Sequence, residues 1–165
     1  MKAKLTLNGK EYEVEVSEEQ IKEIKKPKYK RWRAEKGEKY FYIGGSGNVY
    51  YQTECHDEYD DFFYAIGNYF KTEEEAEFRK KQLLYLRRYK DYLGDDLVTE
   101  DDWKNTNILK YCALYNYSCK QIEIYSYYDQ KFQSAIYSKS KEKIENFINL
   151  IGEDNFKKYI LEVED

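Results

Sequence analysis

YFKTEEEAE at residues 69–77 and YSKSKEKIE at residues 137–145 decide how this chain is read. Laid over each other, Tyr69 matches Tyr137, Thr72 matches Ser140, Ala76 matches Ile144 and Glu77 matches Glu145. In each copy an aromatic residue closes a strand-like run. A hydroxyl three residues later can accept from the orphan N–H groups of a first helical turn. Thr72 with Glu75 spells a capping box, and three glutamates in that turn complement the helix dipole. The helix predicted there runs from about 73 to 93 and stops at Gly94. At 100° per residue, Phe78, Tyr85, Leu86, Tyr89, Tyr92 and Leu93 fall on an arc of about 120°, a buried stripe. After Ser140 the predicted helix covers 141–151, with Ile144, Phe147, Ile148 and Ile151 at helical spacing and Gly152 as its stop. A last short helix, 153–161, presents Phe156, Tyr159 and Ile160.

The strands precede the helices in both copies. Tyr40–Ile43 and Asn48–Thr53 flank Gly44-Gly45-Ser46-Gly47. That loop joins two strands and lacks the Lys and Ser/Thr of a P-loop, so it reads as a hairpin turn. Ile108–Tyr117, Gln121–Tyr128 and Gln133–Tyr137 read as a three-stranded antiparallel meander. Phe62–Phe70 reads as partly strand. Ahead of everything, residues 3–7 and 11–16 alternate around Asn8-Gly9, the pair a type I′ hairpin turn favours. Ser17 and Gln20 then spell a second capping box, and a short helix runs to about Lys26 before Pro27. The expectation is an α+β chain: a hairpin and short helix at 1–27, a sheet-plus-helix unit at 28–94, an acidic linker at 95–105, and a meander-plus-helices unit at 106–165.

Composition bounds the function. Of 165 residues, 41% are hydrophobic and 20 are tyrosine, so tyrosine must build part of the core. That aromatic content argues against disorder. No run approaches the roughly 18 apolar residues a membrane span needs, and the start lacks a signal-peptide core, which points to the cytosol. Net charge is −4, too mild to name a partner by itself. Cys55, Cys112 and Cys119 are odd in number and contain no CxxC pair, which fits a reduced compartment. His56 is the one histidine, so a metal site or a His-dependent nucleophile would have to pass through it. Neither is expected, no cofactor motif is present, and a non-enzyme is the reading.

Two surfaces compete. The segments CHDEYDD at 55–61 and GDDLVTEDDWKN at 94–105 read as an acidic loop and an acidic linker. Their candidates for binding a protein partner are Asp57, Glu58, Tyr59, Asp60, Asp61, Asp95, Asp96, Asp101, Asp102 and Trp103. Clustered carboxylates beside tyrosines can occupy a basic channel on another protein. The alternative is nucleic-acid binding through Lys28, Lys30, Arg31, Trp32 and Arg33 with the helix face Lys80, Lys81, Arg87 and Arg88. A third reading is a nucleotide sponge at the Gly44–Gly47 loop. Tyrosine divides similarly: Tyr69, Tyr85, Tyr89, Tyr92 and Tyr137 fall at core positions, while Tyr50, Tyr51, Tyr59, Tyr125 and Tyr127 are left for a surface.

LTLNGKEYEVEV, SEEQIKEI, RWRAEKGEKYFYI, GNYFKTEEEAE and IGEDNFKKYILEVED together span almost the whole chain. They resemble a family of uncharacterised accessory proteins from phages, prophages and mobile elements of low-GC Gram-positive bacteria. The resemblance implies an accessory phage product, by analogy an anti-defence or anti-CRISPR protein acting on a bacterial defence protein in the host cytosol. It carries over no catalytic residue.

Overall fold

A computed structural model describes residues 2–7, 10–15, 17 and 31–163. Small antiparallel sheets and helices are combined in it as an α+β fold. β1 (Lys2–Leu7) pairs with β2 (Lys10–Glu15), Leu7 opposite Lys10. That register leaves a two-residue connection, as the alternation around Asn8-Gly9 predicts. The turn itself, the helix predicted after Ser17, and Lys28 and Lys30 lie outside the described residues.

The first unit starts with β3 (Lys39–Ile43) and β4 (Val49–Thr53), Tyr42 opposite Tyr50. Gly44 N–H donates to Asn48 O at 2.8 Å and Gly47 N–H to Gly44 O at 2.9 Å. Gly47 has φ 79, where glycine is favoured. The loop is a hairpin turn whose amides close on the turn itself.

The next segment departs from expectation. The expected loop at 55–61 is a loop only as far as the cap at Asp57, and 62–70 is mostly not strand: α1 covers Glu58–Ala65. Its cap is built from two aspartates. Asp57 accepts from the N–H groups of Tyr59 and Asp60 at 2.9 and 3.0 Å, and Asp60 accepts in return from Asp57 N–H at 3.3 Å. This satisfies first-turn donors as a Ser/Glu box would. It overrides the strand preference of the aromatic run. Of the predicted strand, Phe70 alone pairs, exchanging 2.9 Å bonds with Phe41.

α2 (Glu73–Leu93) has its predicted bounds, with Thr72 accepting from Glu75 N–H and Gly94 at its end. Its buried residues are Ala76, Gln82, Tyr89 and Leu93, whereas Tyr92 stays 37% exposed. α2 is shared between the units, touching β3 and β4 as well as the last two helices.

The predicted linker is structured as well. After a 3-10 turn at Gly94–Asp96, Thr99 and Asp102 cap α3 (Glu100–Lys104). Val98 N–H donates to Tyr137 O, Lys139 N–H donates to Asp96 O, and Trp103 sits edge-on to Tyr137 with centroids 4.9 Å apart. The segment is thus part of the second unit. There β5 (Lys110–Asn116) pairs with β6 (Gln121–Tyr127). The third meander strand does not form. Ser138 makes single bridges to Tyr111 and Leu97 instead. α4 (Lys141–Ile151) and α5 (Glu153–Tyr159) complete the fold, α5 two residues shorter than predicted.

The larger core joins Tyr89 and Leu93 to Ala113, Ile144, Phe147, Ile151 and Phe156, with Tyr89 stacked on Phe147 at 4.8 Å. The smaller one joins Ala34, Tyr40 and Tyr69 to Trp32, Tyr42, Phe63 and Tyr64. Lys110 is fully buried beside the larger core. Its ammonium donates to the carbonyls of Asn105, Ile108 and Tyr128, each at 2.8 Å, so the charge is solvated by backbone. Among the described residues no helix is long and apolar enough to cross a membrane.

Candidate protein interface

α1 is amphipathic in an unusual sense, because both of its faces carry large side chains. The inner face buries Asp60 and packs Phe63 and Tyr64 on the smaller core. On the outer face Tyr59, Phe62 and the capping residue Ile66 are 73%, 57% and 57% exposed. These three fall within about 60° of arc at helical spacing. Ring contacts carry the patch across to the hairpin: Phe62 meets Phe63 at 5.6 Å, Phe63 stacks on Tyr42 at 4.3 Å, and Tyr42 meets Tyr50 at 5.9 Å. Tyr51 projects to the opposite face of the hairpin, where Lys39 Nζ lies 4.1 Å from its ring. Glu58, Asp57 and Asp61 are exposed around the stripe. It is therefore an aromatic patch with an acidic margin.

A polar cluster holds α1 in place. Glu54 is fully buried and accepts from Arg33 Nη2 at 2.9 Å, Arg33 Nε at 3.2 Å, His56 N–H at 2.9 Å and the Tyr69 hydroxyl. Burial works to raise the Glu54 carboxyl, but the bonds from Arg33, Tyr69 and His56 outweigh it and hold the group at about 2. The hydrogen bond from Arg33 to Glu54 in turn raises the guanidinium above its ordinary value. Asp60, also fully buried, accepts from the Tyr40 hydroxyl at 2.8 Å and from Cys55 N–H at 2.7 Å. Tyr40 and Tyr69 stack at 3.9 Å, so the two rings pass their hydroxyls to different carboxylates. Burial, then the bonded carboxylate, raises both phenols. His56 takes φ 60 and brings Nδ1 within 3.0 Å of Glu54. Among the described residues it makes no bond to Cys55, so no thiol–imidazole pair forms.

This geometry sorts the predicted site residues. Asp60 is a correction: it is buried under the cap and cannot touch a partner. Asp57 is occupied as the cap, and Asp61 pairs with Arg33 Nη1 at 2.7 Å while staying 65% exposed. Glu58 and Tyr59 are free to make contacts. In the second segment Asp96 pairs with Lys143 at 2.8 Å, and Asp101 pairs with Lys104 at 2.7 Å. Asp102 bonds Thr99, whose N–H lowers its carboxyl, and lies 3.6 Å from Lys139. Trp103 is an anchor on Tyr137, and Asp95 is exposed. Residues 95–103 thus tie the second unit together, while 57–61 belong to the first.

Of the described basic candidates, Arg33, Lys80 and Arg87 are paired with carboxylates. Arg31 lies 4.1 Å over the Tyr64 ring, with Nε and Nη2 buried and without a hydrogen-bond partner among the described residues. Arg33 is held by Glu54 and Asp61, and Trp32 tilts against Tyr69 at 5.7 Å. Lys80 pairs with Glu77 at 2.6 Å and Arg87 with Asp91 at 2.9 Å; Arg88 lies over Tyr85 and Lys81 is exposed. Tyr50 is exposed, as the sequence reading left it, but Phe62 and Ile66 are absent from the predicted residues. The signal for those two is the 59/62/66 spacing, visible once 58–65 is taken as helix.

Cys55 and Cys119 are exposed free thiols, and Cys112 is buried. Among the described residues no group of three or more His, Cys, Asp or Glu side chains could hold a metal ion. No protein family, curated protein or solved structure matches this chain. The phage-family resemblance therefore rests on the quoted motifs alone.

Proposed function

We propose that this chain is a non-enzymatic protein binder that docks the outer face of α1 onto a basic surface of a partner protein. The observation that carries the reading is the exposed Tyr59/Phe62/Ile66 stripe, set among Glu58, Asp57 and Asp61. Apolar side chains leave water on docking, and tyrosine gives large contact area at low entropy cost. The surrounding carboxylates steer the patch toward positive charge and away from nucleic acid. A bacterial nuclease effector offers such a surface at its nucleic-acid channel. In the phage reading, covering that channel is the inhibitory act.

The test replaces the patch without touching the cap. Tyr59→Ala/Phe62→Ala and Glu58→Lys each leave Asp57, Asp60 and Glu54 in place, so both fold like the parent by circular dichroism. Affinity capture from bacterial lysate at 150 mM salt, read by mass spectrometry, should recover a basic protein with the parent. Both variants should lose at least tenfold of it. Equal recovery by parent and variants would remove α1 as the interface.

A further inference from the structure

Beside β6 lies an open groove of about 670 Å³, floored by Ile122 and Ile124 and walled by α4. The hydrogen-bond phase of the sheet shows what this groove can take. Tyr111 exchanges 2.8 Å bonds in both directions with Ser138. In an antiparallel ladder alternate residues bond to opposite sides. Tyr111, Ala113 and Tyr115 therefore turn their N–H and C=O groups away from β6. Ile124 and Ile122 stand opposite Ala113 and Tyr115, so their own N–H and C=O groups point to the outer edge of β6. Their side chains meanwhile pack toward the larger core, on the face that α4 covers. Among the described residues nothing pairs with those groups, so one pair of residues presents an open backbone ladder and an aliphatic floor at the same place.

We propose that this groove binds an extended peptide segment of another protein, which adds as a third strand along β6. Such a strand satisfies the free backbone groups and points alternate side chains into the groove. These meet Ile122, Ile124 and, from the helix wall, Ile148. The charges on the wall are already spent, Lys141 on Glu145 at 3.2 Å and Glu153 on Lys157 at 2.9 Å. Asn146 and Asn149 leave amides for hydrogen bonding. The segment that fits is uncharged, with aliphatic residues at every second position. A second copy of the chain pairing edge to edge would cover the same amides, and the test reads that outcome separately as a dimer. This site is separate from the outer face of α1, and its test does not depend on that reading.

The probe is a displayed library of random linear heptapeptides, panned on the intact chain. The expected result is enrichment of alternating aliphatic peptides that slow amide exchange at Ile122 and Ile124. Ile148→Arg, which blocks the wall, and Asn149→Asp, which adds charge with little change of shape, should each weaken them at least tenfold. N-methylation of alternate peptide amides should do the same. Peptides that bind with those two amides unprotected would overturn the proposal. So would failure to enrich any sequence, or a dimer of the chain that protects both amides by itself.

Discussion

Replacing Asp60 by alanine separates a structural carboxylate from a binding one. In the folded protein Asp60 is fully buried and accepts from Tyr40, Cys55 N–H and Asp57 N–H. Tyr40 is itself fully buried, so Asp60→Ala strands its hydroxyl where water cannot replace the acceptor. Losing a hydrogen bond to a charged group, which is the same event as leaving the buried donor alone, costs about 1.5–3 kcal/mol. Half of the helix cap goes too, at about 1 kcal/mol. The sum is about 2.5–4 kcal/mol. For a chain of this length each kcal/mol moves Tm by about 2–4 °C, so the expected fall is about 5–16 °C. Asp61→Ala is the control: its exposed pairing with Arg33 contributes under about 1 kcal/mol. Asp60→Asn keeps the shape and can donate to the Tyr40 oxygen, so it should fall between the two. Urea denaturation followed by circular dichroism measures all three. Equal losses for Asp60→Ala and Asp61→Ala, or a loss below about 1 kcal/mol for the former, would refute the buried assignment.

The Glu54 cluster predicts acid sensitivity. A carboxyl held at about 2 when folded, against 4.5 ordinarily, contributes stability that is complete above pH 4.5 and is lost as pH falls toward 2. Unfolding titrations across that window should show the slope, and Glu54→Gln should flatten it; an unchanged slope would assign it elsewhere. Thiol chemistry offers an independent check of packing. Burial pushes the Cys112 thiol up and shields it, whereas Cys55 and Cys119 are exposed. A thiol reagent at pH 8 should label Cys55 and Cys119 in the native protein and Cys112 only in denaturant, which peptide mapping would show. Prompt labelling of Cys112 would contradict its full burial on β5.

What could be read from the residues alone depended on whether local signals and tertiary packing agreed. α2 and α4 have a hydroxyl cap, a helical stripe and a terminal glycine, all saying the same thing. α1 has conflicting signals. Its aromatic residues favour strands, and its aspartates look like a solvated loop until Asp57 and Asp60 are seen capping each other. Burial of Asp60 depends on Tyr40, twenty residues away, and no periodicity reports such a pair. The third meander strand fails because its run opens on a turn, Ala135 N–H donating to Phe132 O, and Ser138 beyond it meets Tyr111 at a single bridge. Tyrosine was divided only in part: Tyr69, Tyr89 and Tyr137 are buried as expected, Tyr92 is 37% exposed, and fully buried Tyr40 had no assigned place. The exposed positions of Phe62 and Ile66 become legible only after the helix beneath them does.

The chain has two tryptophans, and the fold puts one beside each core. Trp32 lies 5.7 Å from Tyr69 in the first unit, and Trp103 lies 4.9 Å from Tyr137 in the second. Each is close enough to collect excitation from its own tyrosine neighbours, so each unit carries a built-in fluorophore. With either one changed to phenylalanine, the survivor reports on a single unit during unfolding. Coincident transitions from the two would mean that α2, the helix both units share, transmits the collapse of one core to the other. Separate transitions would mean that α2 can fray at one end and hold at the other.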